Sequence, residues 1–321
     1  MKKCLRVLMG GLLVAMPMQA IQAAVFVDDF NSAASSANYN VVQSSADNKA
    51  TFGWDYSALG IPSAPNTTDS STFGLKLESN IESAQVTGIT LHTLQSFSGN
   101  YRVTFDAWMN ANGPFPAGGT GSTEFLTAGV GGNGSAVNVA TAGTSGSGGW
   151  TAVSGEGGST RDYRMFKDTA EQLPASGQFN APSGNSSDPY YAGFGGIDVG
   201  TLPQNALAPA TQVGVTGAGS FGFEWHEVSL LVNPTGGTGG AASVSWSIDG
   251  LQIGTLDAGL AAFNTDGRVT IGYTDIFTSV SDNAPFSFGL VDNLSVTAVP
   301  EPASGLCLLG FGLAMVRRRR A

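Results

Sequence analysis

Apolar side chains in this chain recur at every second position, and almost nowhere at the three-to-four spacing of a helix face. Side chains of a strand alternate between its two sides, so this period writes sheets with one buried face. In Tyr101-Arg102-Val103-Thr104-Phe105-Asp106-Ala107 the odd positions are apolar. Phe73, Leu75 and Leu77 repeat the pattern around Lys76 and Glu78, and Val244, Trp246 and Ile248 alternate with serines. Val269, Ile271 and Tyr273 alternate with Thr270, Gly272 and Thr274. Phe286, Phe288, Leu290, Leu294 and Val296 share one parity near the end. Only Asp168 to Leu173 reads as a short turn of helix. Despite 45 glycines, a 42% hydrophobic fraction is enough to fill a core. With both termini set aside, about 275 residues remain, the size of one all-β sandwich with large loops.

The clearest hairpin spans Ser243 to Leu256. Asp249-Gly250 suits a two-residue type I′ turn, whose central positions both need positive φ. That turn sets Ile248 opposite Leu251 and Trp246 opposite Ile253, which makes the apolar face continuous. Upstream, Phe221, Phe223 and Trp225 have odd parity, whereas Val228, Leu230 and Val232 have even parity. The face must switch near His226, by a bulge or by a new strand starting there. Gly-rich stretches at 112–121, 131–149, 176–187 and 234–241 read as loops. Residues 167–219 form a long insertion containing Pro174, Pro182, Pro189, Pro203 and Pro209. Insertions of this length in a compact domain are usually functional or mobile.

Both ends read as address labels. Lys2, Lys3 and Arg6 precede an apolar stretch from Val7 to Met16, followed by Pro17 and the small residues Ala20, Ala23 and Ala24. This is the pattern of a signal peptide over residues 1–24, handled by the Sec machinery and signal peptidase. At the other end, Val299-Pro300-Glu301-Pro302 leads into the uncharged stretch Ala303 to Val316, then Arg317, Arg318, Arg319 and Arg320. A helix of that length spans about 21 Å, short of the ~30 Å hydrocarbon core, and snorkelling arginines narrow the gap. The arginines hold the C-terminus on the cytoplasmic side, so they act as a membrane stop. Cys4 and Cys307 lie in these terminal segments, and the body has no cysteine for a disulfide or thiolate site. Of 14 basic residues, three precede residue 25 and four close the chain. Residues 25–302 therefore carry 7 basic against 24 acidic groups, a formal charge of −17. Such a surface repels nucleic acid and anionic lipid.

Pro-Glu-Pro, a short hydrophobic helix and a terminal arginine cluster, taken in that order, resemble the PEP-CTERM sorting signal of exopolysaccharide-producing Gram-negative bacteria. The resemblance implies an exported protein that pauses in the inner membrane by its C-terminal helix. An exosortase then cleaves it near Val299–Pro302, and it moves to the outer surface or extracellular matrix, where exopolysaccharide is a candidate partner. A simple C-terminal anchor is the plainer alternative. Within the body, a strand beginning Trp225-His226, followed by one ending in the Asp249-Gly250 turn, resembles the concanavalin A-like (laminin G-like) jelly roll. The expected organisation is a signal peptide (1–24), an all-β jelly-roll sandwich (25–298) and a sorting tail with a short transmembrane helix (299–321).

The chemistry of the body is sparse. His92 and His226 are the only histidines, so a histidine-based catalytic triad or multi-histidine metal site would need both, with suitable partners. Glu224 and Glu227 flank Trp225-His226, but residues three apart on one strand face opposite sides, so they do not aim at one glycosidic bond. The Glu-x-Asp-x-x-Glu signature of jelly-roll glycosidases is absent from the sequence. Asp28 and Asp292 share parity with apolar neighbours in the first and last strands. Two inward carboxylates need a cation, backbone donors or a shared proton, so they are a candidate pair for a structural Ca²⁺, with separate backbone capping as the rival. Tyr190 and Tyr191, in the long insertion, are the candidate aromatic platform for a sugar ring, joined by Tyr163, Trp150 and Trp54. The expected function is non-catalytic: an exported surface or matrix protein that binds carbohydrate. The alternatives are a structural matrix component without a ligand and, less favoured, a secreted glycan-cleaving enzyme.

Overall fold

The computed structural model describes residues 24–300. Two antiparallel sheets face each other. Sheet A runs in the order β13 (Leu251–Asp257), β12 (Ser243–Ile248), β11 (His226–Asn233), β6 (Tyr101–Asn110), β15 (Phe288–Ala298), β4 (Phe73–Glu78) and β3 (Lys49–Asp55). β1 (Ala24–Asp28) pairs with the second half of β15, on residues 294–297, while β4 takes residues 289–291. Sheet B runs β10 (Ala170–Gln172), β9 (Tyr163–Lys167), β8 (Gly149–Ser154), β7 (Glu124–Gly132), β14 (Gly267–Asp275), β5 (Thr87–Phe97) and β2 (Tyr39–Gln43). This is a jelly-roll sandwich. The α-helix among the described residues is one turn, α1 (Gln204–Leu207).

The alternating residues build the main core between the sheets. Tyr101, Val103, Phe105, Ala107 and Met109 of β6 meet Leu75 and Leu77, Val244, Trp246 and Ile248, and Val269, Ile271 and Tyr273. Asp249 and Gly250 have φ of 48° and 78°, as the hairpin requires. Ile248 faces Leu251, but a bulge after Trp246 sets that residue opposite Gly254 rather than Ile253. A new strand starts at His226, after Phe223 at φ 71° turns the chain, which resolves the switch of face. Asp168-Thr169 is not helical. It is the turn of the β9–β10 hairpin, with Asp168 at φ 50° and Lys167 paired to Ala170.

The outer faces of both sheets are covered as well. On sheet B, Phe125, Trp150 and Phe166 form a second cluster with Ala140 and Ala152, under the Gly-rich segment 131–148. Trp150 stacks on Phe166 with centroids 3.9 Å apart, and the Arg164 guanidinium donates to the Ala140 carbonyl at 2.7 Å. On sheet A, Trp108, Phe288 and Leu290 pack with Tyr56, Ile61, Phe115, Val199 and Phe223. Segments 56–72, 111–116 and 189–223 supply this cover. The long insertion is therefore largely packed, with Phe179, Ala181, Tyr191, Phe194 and Val199 buried.

Gly148 shows how tightly the sheet B cover is seated. It has φ +77°, and an added Cβ would lie 2.0 Å from the Val130 carbonyl oxygen. Gly143 has φ +76° in the same segment, with nothing within 4 Å of such a Cβ. Both substitutions carry the left-handed backbone cost of about 1 kcal/mol, and only one carries the clash. Gly148→Ala is expected to destabilise the protein by about 3 kcal/mol or more, and Gly143→Ala by about 1, in urea unfolding. Equal losses would mean that the segment is not seated against Val130.

Candidate functional site

The last strand changes face midway. Asn293 has φ 52°, and the pairing of β15 with β6 slips between Asp292 and Ser295. Leu294 and Val296 consequently join the main core, while Phe288 and Leu290 join the outer cluster. The shared parity of these residues thus does not mean a shared face. Asp292, expected to point inward, lies on the outer face of sheet A and is 1% exposed.

This places Asp292 in a row. Glu227 of β11 is opposite Asp106 of β6, and Asp106 is opposite Asp292 of β15. Directly opposed side chains of an antiparallel pair share a face, so three carboxylates lie side by side across three neighbouring strands. Asp106 accepts from Asn66 N (3.0 Å), Asn66 Nδ2 (2.7 Å) and Asn293 Nδ2 (2.8 Å). Asp292 accepts from the Tyr56 hydroxyl at 3.0 Å and the Asn293 amide at 2.7 Å. Burial pushes its carboxyl up to about 7, Asp106 and Asp29 add to the rise, and the Tyr56 and Asn293 bonds oppose it. Glu227 is exposed at the open end of the row.

Beside the row, sharing Glu227 with it, is a cleft of about 300 Å³, walled by Asp29, Asn66, Thr104, Glu227, Asn293 and Ser295 among others. Carboxylates there offer acceptors, and amides and hydroxyls offer donors. The seam at which β1 and β4 share the edge of β15 creates this hollow.

Asp28 does not join the row. It is opposite Leu294, hence on the core side of sheet A, while Asp292 is on the other side. Its oxygens accept from Phe30 N (3.0 Å), Ser35 Oγ (2.6 Å) and Asn38 Nδ2 (2.9 Å), closing the turn Ala33–Asn38. The expected sharing of a Ca²⁺ between Asp28 and Asp292 is therefore corrected to two separately satisfied carboxylates, because the bulge turns one away from the other. Among the described residues no group of three or more His, Cys, Asp or Glu is disposed to hold a metal ion.

The aromatic platform also changes meaning. Tyr191 is 0% exposed and stacks on Tyr163 at 3.9 Å, with its hydroxyl donating to the Ser183 carbonyl. Tyr190 meets Tyr191 edge-on and donates its hydroxyl to the Gln252 carbonyl at 2.7 Å. Both tyrosines pin the insertion to the sandwich, so Tyr191 has no face free for a sugar. Trp150 and Tyr163 are likewise core residues, and Trp54 packs edge-on against Phe288.

His226 is buried between Phe221 and Phe194, with Nδ1 2.6 Å from Asp249 Oδ2 and Nε2 3.6 Å from Glu224 Oε1. It ties the Asp249 turn to the insertion. Asp106 and Asn66 escaped sequence reasoning. Asp106 sat among the polar positions of an amphipathic strand, and only the cross-strand register with Glu227 and Asp292 reveals its partners.

Residues 298–320 match the PEP-CTERM protein-sorting motif. The chain thus carries a sorting signal of exported proteins. Glu301, Pro302, the apolar stretch 303–316 and Arg317–Arg320 lie outside the described residues, as do residues 1–23 of the expected signal peptide (1–24). Among the described residues no helix is long and apolar enough to cross a membrane. No curated protein matches the sequence. A Bacillus subtilis protein of unknown function with a galectin-like fold is similar at 12% identity and TM-score 0.46, over 86% of this chain and 96% of that one. The carbohydrate binding module CBM66 from Bacillus subtilis is similar at 8% identity and TM-score 0.35, over 74% of this chain and 92% of that one. A glycosyl hydrolase family protein from Mycobacterium fortuitum is similar at 10% identity and TM-score 0.41, over 85% of this chain and 99% of that one.

Proposed function

We propose that this is an exported, non-catalytic saccharide-binding protein of the cell surface or matrix. In this reading an exosortase-type enzyme processes it at the C-terminal motif, and the Asp29–Glu227 cleft takes polysaccharide. The wall chemistry of the cleft carries the binding reading. Exposed Glu227 and Asp29 accept from sugar hydroxyls, while Asn66, Asn293, Thr104 and Ser295 donate or accept. Glu227→Ala is expected to weaken binding about tenfold, the value of roughly one charge-assisted hydrogen bond. The check is a glycan array with the exported protein, followed by calorimetry on the best glycan. Binding to no glycan would leave a structural matrix component.

One observation favours a second reading. Glu227 and Asp292 are two strands apart, roughly 10 Å by strand spacing, close to the span of an inverting carboxylate pair. Asp292 also has the raised affinity for a proton that a general acid needs. Against hydrolysis, Asp292 is sealed beneath Tyr56 and Asn293 and does not reach a glycosidic oxygen. Release of reducing ends from a bound polysaccharide, lost in Glu227→Gln, would establish the enzyme instead.

Processing is tested apart from binding. In an exosortase-bearing host, mass spectrometry of the mature protein is expected to find both terminal segments missing. Neutral residues in place of Arg317, Arg318, Arg319 and Arg320 are expected to impair retention and processing, since arginine crosses a bilayer at a cost of several kcal/mol. A full-length C-terminus on the mature protein would leave only a membrane anchor.

A further inference from the structure

Residues 61–72 cross the carboxylate row as a strap between Leu59 and β4. Ile61 and Ala64 are its buried side chains, and the rest is exposed or half-buried. Polar contacts fasten it. Asn66 donates twice to Asp106, and Thr67 Oγ1 accepts from Asn293 Nδ2 at 2.9 Å. Ala64 N donates to the Tyr56 hydroxyl at 3.3 Å, and that hydroxyl donates to Asp292. Trp225 Nε1 donates to the Pro62 carbonyl at 2.8 Å. The strap is therefore fastened directly on Asp106, 0% exposed, and through Tyr56 and Asn293 on Asp292, 1% exposed.

Those two groups do not comfortably ionise together. Their side chains oppose each other at about 5 Å across the β6–β15 pair, in a site closed to water, where like charges repel strongly. Asp106 receives three N–H donors, whereas Asp292 receives one N–H and the Tyr56 hydroxyl. Asp29 and Glu227 add negative charge from the neighbouring elements. The nearest cation in register is Lys76, opposite Leu290 on β4, and it is engaged with Glu78 at 2.7 Å and lies over the Trp54 and Phe288 rings. One proton on the Asp106–Asp292 pair thus fits the closed strap, and its loss is relieved by letting water in.

We propose that residues 61–72 are a proton-gated strap over the Asp106–Asp292 pair beside the cleft, held closed by a proton on Asp292 and released when that proton leaves. Opening withdraws Asn66 from Asp106 and from the rim of the cleft. As a regulator of ligand access, the device rests on the saccharide reading. Its mechanics are testable without any ligand.

The test is hydrogen exchange on the full chain in detergent micelles from pH 5 to 8.5, corrected for intrinsic exchange. An ordinary carboxyl in the open state titrates near 4, and the closed state holds its proton to about 7. Linkage then makes opening easier by up to about tenfold per pH unit between those limits, and constant above them. Protection at Ala64, Asn66 and Thr67 is expected to fall in that manner and then level off. Asp292→Asn is expected to flatten the profile. Tyr56→Phe, which removes a donor favouring ionised Asp292 and also the acceptor of Ala64 N, is expected to carry the fall at Asn66 and Thr67 to higher pH. Uniform protection at every pH in the unaltered protein, or the same slope in Asp292→Asn, would overturn the proposal. If Asp292→Asn does not fold, an unmoved break in Tyr56→Phe would overturn it. Absence of glycan binding at all pH values, with the break intact, removes the saccharide reading alone.

Discussion

Tyr191→Ala is expected to cost about 3–5 kcal/mol of stability, the usual price of truncating a fully buried aromatic side chain. Its ring is stacked on Tyr163, which in turn packs near Trp246 and Phe194. The removed atoms leave a cavity between the insertion and the main core. The buried Tyr163 hydroxyl, which donates to Gly219 O at 2.7 Å, would lose the wall that holds it. Tyr190→Phe removes one hydroxyl at the margin of the same cluster and is expected to cost about 1 kcal/mol. Urea unfolding of both variants measures the difference. If Tyr191→Ala unfolded like the unaltered protein yet lost glycan binding, Tyr191 would be a ligand residue after all.

That contrast shows where the sequence was readable. The period of two set the strands because one face of each is buried in a common core, and the Asp249-Gly250 turn set a register because few residue pairs tolerate its backbone. The sorting tail was readable because its parts carry meaning by order alone. Parity failed at Asn293, since a single positive-φ residue reverses every later side chain without altering the hydrophobic pattern. It failed in the insertion for another reason. Tyr190 and Tyr191 stand in a polar, proline-rich run, so nothing local says that the rings fold back onto β9 and the β12–β13 hairpin. Outer faces covered by loops also blur the rule, because β8 is buried on both sides and reads like a central strand. The carboxylate row was beyond local reading altogether. Asp106, Glu227 and Asp292 are far apart in the chain, and the register of three strands is what aligns them.

Unfolding free energy is expected to fall as pH rises from about 5 to 8, opposite to the trend of a protein held together by ion pairs. Four buried carboxyls have raised proton affinity, with burial as the leading cause in each: Asp292 to about 7, Asp275 to about 6, and Glu124 and Glu156 in the same direction. Glu124 accepts from the Tyr273 hydroxyl and is opposite Asp275 in the β7–β14 pair, so these two also repel. A group whose folded-state affinity is raised contributes its full stability below its unfolded pKa. That contribution is lost as pH climbs through the folded value. For Asp292 and Asp275 the loss therefore runs from about 4 to about 7 and about 6, and Glu124 and Glu156 add to it in the same direction. For Asp292 alone, a rise from 3.8 to about 7 corresponds to on the order of 4 kcal/mol. His92 acts the other way. Burial lowers its proton affinity, so below its ordinary value near 6.5 the unfolded chain takes up a proton that the folded one resists. One histidine against four carboxyls leaves the net slope negative over most of the window. Further acidification reverses the trend, because Asp47, held down to about 2 by Ser45 and the Glu82 and Ser83 amides against the opposing effect of burial, then loses its advantage. Urea titrations at pH 5, 6.5 and 8 are expected to show a decline of several kcal/mol. Asp292→Asn and Asp275→Asn should each remove part of the slope. A free energy that stays level or climbs from pH 5 to 8 would mean that these carboxyls are charged in the folded protein and that something positive holds them.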